Sequence, residues 1–196
     1  MGLEIENMAE DKIIRCGWCG EDSLYQKYHD EEWGKVVKDD ATLFEFLILE
    51  SAQAGLSWIT ILRKREGYRN AFANFDYHKV AEFTEEDVER ILQDPGVIRN
   101  RGKINSSINN AKIFMAIQKE FGSFYNYLYS FMPNQEPIIN QLETLKGAPT
   151  TTAISDAISK NLKKRGMKFF GSTTCYAYMQ AVGMVNDHLL SCSFRS

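Results

Sequence analysis

The chain has 196 residues, 44% of them apolar and 12% aromatic, with a formal net charge of −3. That length and composition fit a folded chain with a sizeable core and exclude a disordered or fibrous one. No run approaches 18 consecutive apolar residues, which excludes a membrane-spanning helix, and four cysteines are too few for a disulfide framework at this length.

The first 14 residues carry Glu4, Glu6, Glu10 and Asp11 and lack the basic start and apolar centre of a signal peptide, so a cytoplasmic, reducing location is expected. They read as a flexible extension on a domain spanning 15–196. Residues 1–50 hold 5 Lys/Arg against 13 Asp/Glu, whereas the remainder holds 18 against 13. Basic residues cluster at Arg63/Lys64/Arg65, at Arg99/Arg101/Lys103 and at Lys160/Lys163/Lys164/Arg165/Lys168. One such cluster is usually a solvated helix face; three beside an acidic remainder tilt towards a polyanionic partner.

Along the chain the pattern is helical. Residues 42–54 repeat apolar side chains at helical spacing, with Thr42 and Glu45 as a capping box. Ser57 is placed to cap a helix over 58–72, and Thr84 to open another whose first turn is acidic. Residues 101–121, 155–165 and 172–182 read the same way. Pro95, Pro133, Pro137 and Pro149 fall in connections, and the irregular stretch 132–152 reads as a loop between two helical lobes. No alternating strand pattern appears, so the expected fold is all-α.

Three features carry chemistry. Cys16 and His29 near the start, with His188 and Cys192 near the end, make a Cys₂His₂ set suited to a closed structural zinc site joining the two terminal segments. The i, i+4 spacing of His188 and Cys192 predicts one face of a helical turn. Cys19 is an alternative ligand to His29, and Cys16-Gly17-Trp18-Cys19 also has the spacing of a redox motif, without the βαβ context that chemistry expects.

The second feature is Glu50, predicted to share a helix face with Leu43, Phe46 and Leu47, where a carboxylate is partly desolvated and calls for a bound donor or cation. Trp18, Tyr25, Tyr28, Trp33 and Trp58 lie within 41 residues that hold all three tryptophans. Aromatics are most often core, but beside a buried acid they can also stack a planar base while the carboxylate reads its edge. Gly55 stands where a helix stops and leaves Leu56 on a turn, either as helix packing or as a wedge into a base stack. The third feature, residues 167–173 (MKFFGST), is a Gly-containing turn opening a helix, which offers N–H groups to a phosphate but is equally an ordinary helix connection.

RCGW (15–18), YHDEEWG (28–34), LESAQAGLSWITIL (49–62), IRNRGKI (98–104), LKKRGMKFFGSTTCY (162–176) and MVNDH (184–188) together closely resemble the bacterial 3-methyladenine DNA glycosylase I family, in order and across about 15–192. The resemblance implies a helix-hairpin-helix DNA glycosylase that hydrolyses the N-glycosidic bond of 3-methyladenine in alkylated double-stranded DNA, with free 3-methyladenine as product and no membrane association; a monomer is expected. It implies a structural Zn²⁺ on Cys16, His29, His188 and Cys192, a base pocket of Glu50, Tyr28 and Trp58 lined by Trp18, Tyr25 and Trp33, and catalysis through Glu50. It assigns DNA contact to Gly55 and Leu56 as the plug for the vacated stack, and to Gly171 with Lys163, Lys164 and Lys168 at the hairpin.

Two departures from the wider helix-hairpin-helix superfamily bear on mechanism. Bifunctional members carry a Lys just after the hairpin glycine, where Ser172 and Thr173 stand here, so no Schiff base is expected and the product is an abasic site. Many members carry an Asp in a V-D-x-H context, which here reads Val185-Asn186-Asp187-His188. The rival reading is a non-enzymatic, zinc-stabilised DNA-binding module, which has no use for a deep pocket of aromatics around an acid.

Overall fold

The computed structural model describes residues 13–195. Among these lie nine α-helices: α1 (Ser23–Glu31), α2 (Asp40–Gln53), α3 (Trp58–Ala71), α4 (Tyr77–Ala81), α5 (Glu85–Leu92), α6 (Arg101–Phe121), α7 (Phe124–Tyr129), α8 (Ala153–Lys164) and α9 (Ser172–Ala181). The expectation of an all-α chain needs one amendment. Ile138–Ile139 (β1) pairs in parallel with Val185–Asn186 (β2), and Leu142 bridges to Leu189. Two-residue strands are too short to show an alternating pattern, so the sequence gives no sign of them.

The core is built around α2. Leu43, Phe44, Phe46, Leu47, Ile48 and Leu49 are all buried, so the helix is apolar on nearly every side, as a helix enclosed by others must be. It packs against α3, α6, α7 and α9. Its start corrects the expected Thr42/Glu45 box: Asp39, in extended conformation one residue before the helix, accepts from the Thr42 N–H at 2.8 Å. A carboxylate satisfies an orphan donor and complements the helix dipole better than a hydroxyl further along. Glu45 is drawn instead to Arg65 and Arg69 of α3, at 2.6 and 3.0 Å. Asp40 accepts the Phe124 and Tyr125 N–H groups, which locks the start of α7 onto the start of α2.

The other helix boundaries follow their local chemistry. Ser57 precedes α3, the Thr84 N–H donates to Asp87 at 3.0 Å across the first turn of α5, and Asn100 accepts from the Lys103 N–H at the start of α6. The first and last described segments meet at the surface: Ser193 N–H donates to the Ile14 carbonyl at 2.8 Å, and Ile14 N–H donates to Ser193 Oγ at 2.9 Å. Residues 1–12 of the expected extension lie outside the described residues. No helix among the described residues is long and apolar enough to cross a membrane.

Candidate active site

A cavity of about 210 Å³ opens between α1, α2, α3 and α9, lined by Trp18, Tyr25, Tyr28, Trp33, Glu50, Gln53, Trp58, Ala177 and Gln180. Helix α1 supplies Tyr25 and Tyr28 at i, i+3, on one face, and its next residue, His29, turns away towards the C-terminal segment. Trp18 packs edge to face with Trp33 (ring centroids 4.9 Å apart) and Tyr25 (5.0 Å), and Tyr28 lies tilted against Trp58 at 5.4 Å. All six residues expected to form the pocket are therefore brought to one cavity. Its volume is below the roughly 300–1,000 Å³ of drug-sized sites, so it suits one small planar ring system.

Glu50 sits at the back, 3% exposed, and its Oε2 has no hydrogen-bond partner. The indole N–H groups of Trp18 and Trp58 are also buried without a partner. Half of the six such atoms among the described residues thus line a single cavity. Orphaned buried polar groups are costly and uncommon, and their convergence marks a place built for a ligand. Burial pushes the Glu50 carboxyl up to about 8. Helix α2 is enclosed by protein, and burial without a counter-charge favours the protonated acid, so the ionised form calls for a bound donor or cation.

A second hollow, also about 210 Å³, shares Glu50, Gln53 and Ala177 with the first and adds Ala54, Gly55, Leu56, Thr173 and Thr174. The two make one trough from the aromatic cage to the turn after α2 and the start of α9. Gly55 takes φ +80°, a left-handed conformation that a glycine adopts without strain, and it leaves Leu56 39% exposed at the rim. The turn is held from below by the Lys103 ammonium, which donates to the carbonyls of Ala52 (2.8 Å) and Ala54 (2.7 Å), a favourable place for a cation at the end of a helix.

On the far side of Trp18 and Trp33, Cys16, His29, His188 and Cys192 converge, all buried, with their donor atoms within 4.8 Å of one another. Cys192 Sγ lies 3.3 Å from His188 Nδ1 and 3.6 Å from His29 Nε2, and Cys16 Sγ lies 3.7 Å from His188 Nδ1. A four-coordinate ion with bonds of about 2.3 Å to sulfur and 2.0 Å to nitrogen requires S···N edges of about 3.5 Å in a tetrahedron, so the set can hold a metal. The ring tautomers agree. His29 Nδ1 meets Asp30 at 2.7 Å and His188 Nε2 meets the Trp33 carbonyl at 3.1 Å, leaving the other nitrogens to face the sulfurs. Leu189 and Phe194 N–H groups point at the two sulfurs, as suits thiolates. Without an ion, burial lowers both histidines and pushes the Cys16 thiol up to about 12.

Cys19 lies outside this set, its thiol donating to the Cys16 carbonyl. One expectation fails in detail. His188 and Cys192 are not on a helical turn but on an irregular segment after β2, where the Leu142–Leu189 bridge and a tight turn bring them together. Gly34 admits this closeness: at φ +76°, a Cβ there would stand 3.2 Å from the His188 ring.

Lys163 and Lys164 end α8, and Lys168 lies on the turn joining α8 and α9; all three are exposed. Lys163, Lys168 and Gly171 border a hollow of about 410 Å³ beside it; Lys164 does not. Gly171 has an ordinary φ of −74°, and the left-handed residues of the turn are Gly166 and Phe169. Asn110 of α6 holds the turn at both ends of one residue, accepting from the Lys168 N–H at 3.0 Å and donating to the Lys168 carbonyl at 2.8 Å. Sequence reading gave no site role to Asn110, Gln53, Ala177 and Gln180, and placed Lys103 in a basic cluster rather than under the turn after α2. Only the face shared by Ala177 and Gln180 at i, i+3 could have pointed to any of them.

The sequence pattern of the methyladenine glycosylase family matches residues 18–196. The chain is 52% identical to DNA-3-methyladenine glycosylase 1 of Escherichia coli (strain K12) over 178 residues, 91% of this chain and 95% of that protein. It superposes on a crystal structure of 3-methyladenine DNA glycosylase I with a TM-score of 0.90 at 49% identity, over 93% of this chain and all of that one. It also superposes on the Staphylococcus aureus 3-methyladenine DNA glycosylase I, solved for the structural basis of 3-methyladenine recognition, with a TM-score of 0.89 at 36% identity over 93% and 96% of the two chains. The matched residues 18–196 take in the cage, the trough and His29, His188 and Cys192, and the chain belongs to the methyladenine glycosylase family.

Proposed function

We propose that this chain is a base-excision repair enzyme, a DNA-3-methyladenine glycosylase that hydrolyses the N-glycosidic bond of 3-methyladenine in alkylated duplex DNA and releases the free base. The observation that carries the reading is the orphaned carboxyl of Glu50 at the back of a cage of three tryptophans and two tyrosines. Methylation at N3 leaves the purine positively charged while it is bonded to the sugar, so the leaving group is already activated and needs no general acid. What remains is to extrude the nucleotide, at a cost of a few kcal/mol, and to hold the cation. Electron-rich ring faces contribute about 0.5–2 kcal/mol each to that. Glu50 meets the charge as it enters and gives up its proton, because an opposite charge at contact favours the ionised form.

In this reading Trp18, Tyr25, Tyr28, Trp33 and Trp58 bind the base, and Gly55 and Leu56 enter the gap it leaves. Residues 165–171 with α8 and α9 form the helix-hairpin-helix that grips the backbone through Gly171, Lys163, Lys164 and Lys168. Ser172 and Thr173 offer no amine, so hydrolysis stops at an abasic site. The metal is Zn²⁺, which the Cys₂His₂ donor set suits; it is structural and supplies no step. Trp18 packs 5.2 Å from His29 and Trp33 4.7 Å from His188, so the cluster backs the cage wall. We place residues 15–196 in one glycosylase domain acting as a monomer, and four cysteines with no disulfide among them suit the reducing cytoplasm.

The test is the release of free bases from methylated duplex DNA, resolved by chromatography, for wild type and Glu50→Gln. Release of 3-methyladenine without strand cleavage, lost in the variant, is the expected result. No release of any methylated base by a folded, metal-loaded protein would return the chain to the DNA-binding module.

A further inference from the structure

A second carboxylate lies beneath the cage floor. Asp187, 2% exposed, is absent from the cavity lining and is covered by three donors: Tyr176 Oη at 2.7 Å, Gln180 Nε2 at 2.7 Å and Asn140 Nδ2 at 2.6 Å. Buried and outside the lining, it does not face a ligand in the cavity, unlike the Asp that the wider superfamily carries one residue earlier. Its effect runs through Gln180, which does line the cavity. A glutamine amide has a donor end and an acceptor end. With Nε2 held on a buried carboxylate, the reversed amide would set two acceptor oxygens against each other at hydrogen-bond distance. The backbone of Gln180 is fixed as well, its carbonyl accepting the Gly34 N–H at 2.9 Å. Nε2 is thus spent on Asp187, and Oε1 is the polar atom of this side chain left for a ligand.

We propose that Asp187 is a positioning residue that locks the Gln180 amide so that its Oε1 acts as a second acceptor, beside Glu50, for the exocyclic amine of a methylated purine. The inference rests on the reading that the cavity takes 3-methyladenine, and it adds a source of selectivity. A 6-amino purine has two N–H groups for two acceptors. A 6-oxo purine would turn a carbonyl towards an oxygen that cannot rotate away. Gln180 therefore separates 3-methyladenine from 3-methylguanine, a discrimination the aromatic walls cannot make because both bases present similar faces.

The experiment titrates free 3-methyladenine and free 3-methylguanine into wild type, Gln180→Leu, Asp187→Asn and the double variant, following tryptophan fluorescence, with metal content and melting temperature measured alongside. Loss of one neutral hydrogen bond corresponds to about threefold to tenfold in affinity. Gln180→Leu is expected to weaken 3-methyladenine by that factor and to narrow its advantage over 3-methylguanine. Asp187→Asn, whose amide lets Gln180 reverse, is expected to do the same, and in the Gln180→Leu background to have no further effect on affinity. A purely structural Asp187 would lower the melting temperature while leaving the ratio of the two affinities where it was, and that result overturns the proposal. So does an Asp187→Asn effect on affinity that persists in full in the Gln180→Leu background, which would place its action elsewhere, for example at the neighbouring Cys/His cluster. If Asp187→Asn does not fold, Gln180→Leu alone decides, since an unchanged affinity ratio refutes the role of Oε1. Wild type that binds neither base overturns the glycosylase reading itself, and is told apart because all four proteins then fail together.

Discussion

Replacing Glu50 by Gln should make the protein's stability less dependent on pH, and the size of the effect follows from the burial of one group. In the folded chain the carboxyl rises from its ordinary 4.5 to about 8 through burial alone. The folded state therefore holds this proton more tightly than the unfolded state, and stability is greatest below the unfolded value and falls as pH rises towards the folded one. Linkage gives a loss of about 1 kcal/mol at pH 5, about 3 at pH 7 and about 5 at pH 9, relative to strong acid. Gln has nearly the same shape and cannot ionise, so its own cost does not change with pH. The difference in unfolding free energy between variant and wild type should grow in the variant's favour by about 2 kcal/mol between pH 5 and pH 7. In a chain of this length that is about 4–8 °C in melting temperature. Urea unfolding of both proteins at pH 5, 6, 7 and 8 measures it, and the other titrating groups, the clustered cysteines and histidines included, cancel between the two. Parallel stability curves would refute the reasoning and mean that Glu50 is ionised, or solvated, in the empty cage.

The cage gives a direct optical readout: all three tryptophans line the cavity, so free 3-methyladenine should quench much of the intrinsic fluorescence, and saturation without any change would place the base elsewhere. A permanently cationic alkylated adenine should release close to one proton from Glu50 on binding at pH 7, seen as a dependence of calorimetric heat on the buffer's ionisation enthalpy; none is expected with Glu50→Gln. If the Cys/His cluster holds the proposed metal, Cys192→Ser should lose it and melt at lower temperature, and because Trp18 and Trp33 rest on His29 and His188 it should also weaken base binding; full metal occupancy would show that the cysteine is not a ligand. Leu56→Ala should leave free-base affinity unchanged and raise KM for alkylated duplex DNA severalfold, whereas an equal loss on both substrates would make Leu56 part of the pocket.

What could be read from the sequence divides along physical lines. The long helices were visible because burial repeats at 3.6 residues and their ends carry side-chain caps: Asn100 before α6 and Thr84 with Asp87 at α5 each stand next to the helix they start. The start of α2 was misplaced because Thr42 and Glu45 matched a local motif while their real partners, Asp39 and the arginines of α3, were settled by competition and by tertiary contact. His188 and Cys192 matched helical spacing and were brought together by a bridge to a loop about 45 residues earlier, which no window of sequence contains. The aromatic cage was legible because its rings are crowded into a short segment around one acid. Gln180, Lys103 and Asn110 were not, since a Gln, a Lys and an Asn on helices are unremarkable until the fold shows which backbone groups or carboxylate they hold.

On the proposed role of Glu50, the balance of charges accounts for a site that is selective without acid–base machinery. At pH 7, ionising Glu50 in the empty cavity costs on the order of 1 kcal/mol, because burial raises its carboxyl to about 8. A positively charged base at about 4 Å returns about 4 kcal/mol at an effective dielectric of 20, before any ring contact. The ionised state is therefore uphill when the cage is empty, uphill with a neutral adenine, and downhill with the methylated cation. Normal adenine meets a protonated acid and rings with no charge to attract, and has a stable glycosidic bond besides. The lesion meets a carboxylate that its own charge has created, and that same charge weakens the bond to the sugar. A cage holding a permanent carboxylate would be paired, hydrated or closed by some other cation; keeping the acid neutral at rest leaves the cavity open to the one purine that can ionise it.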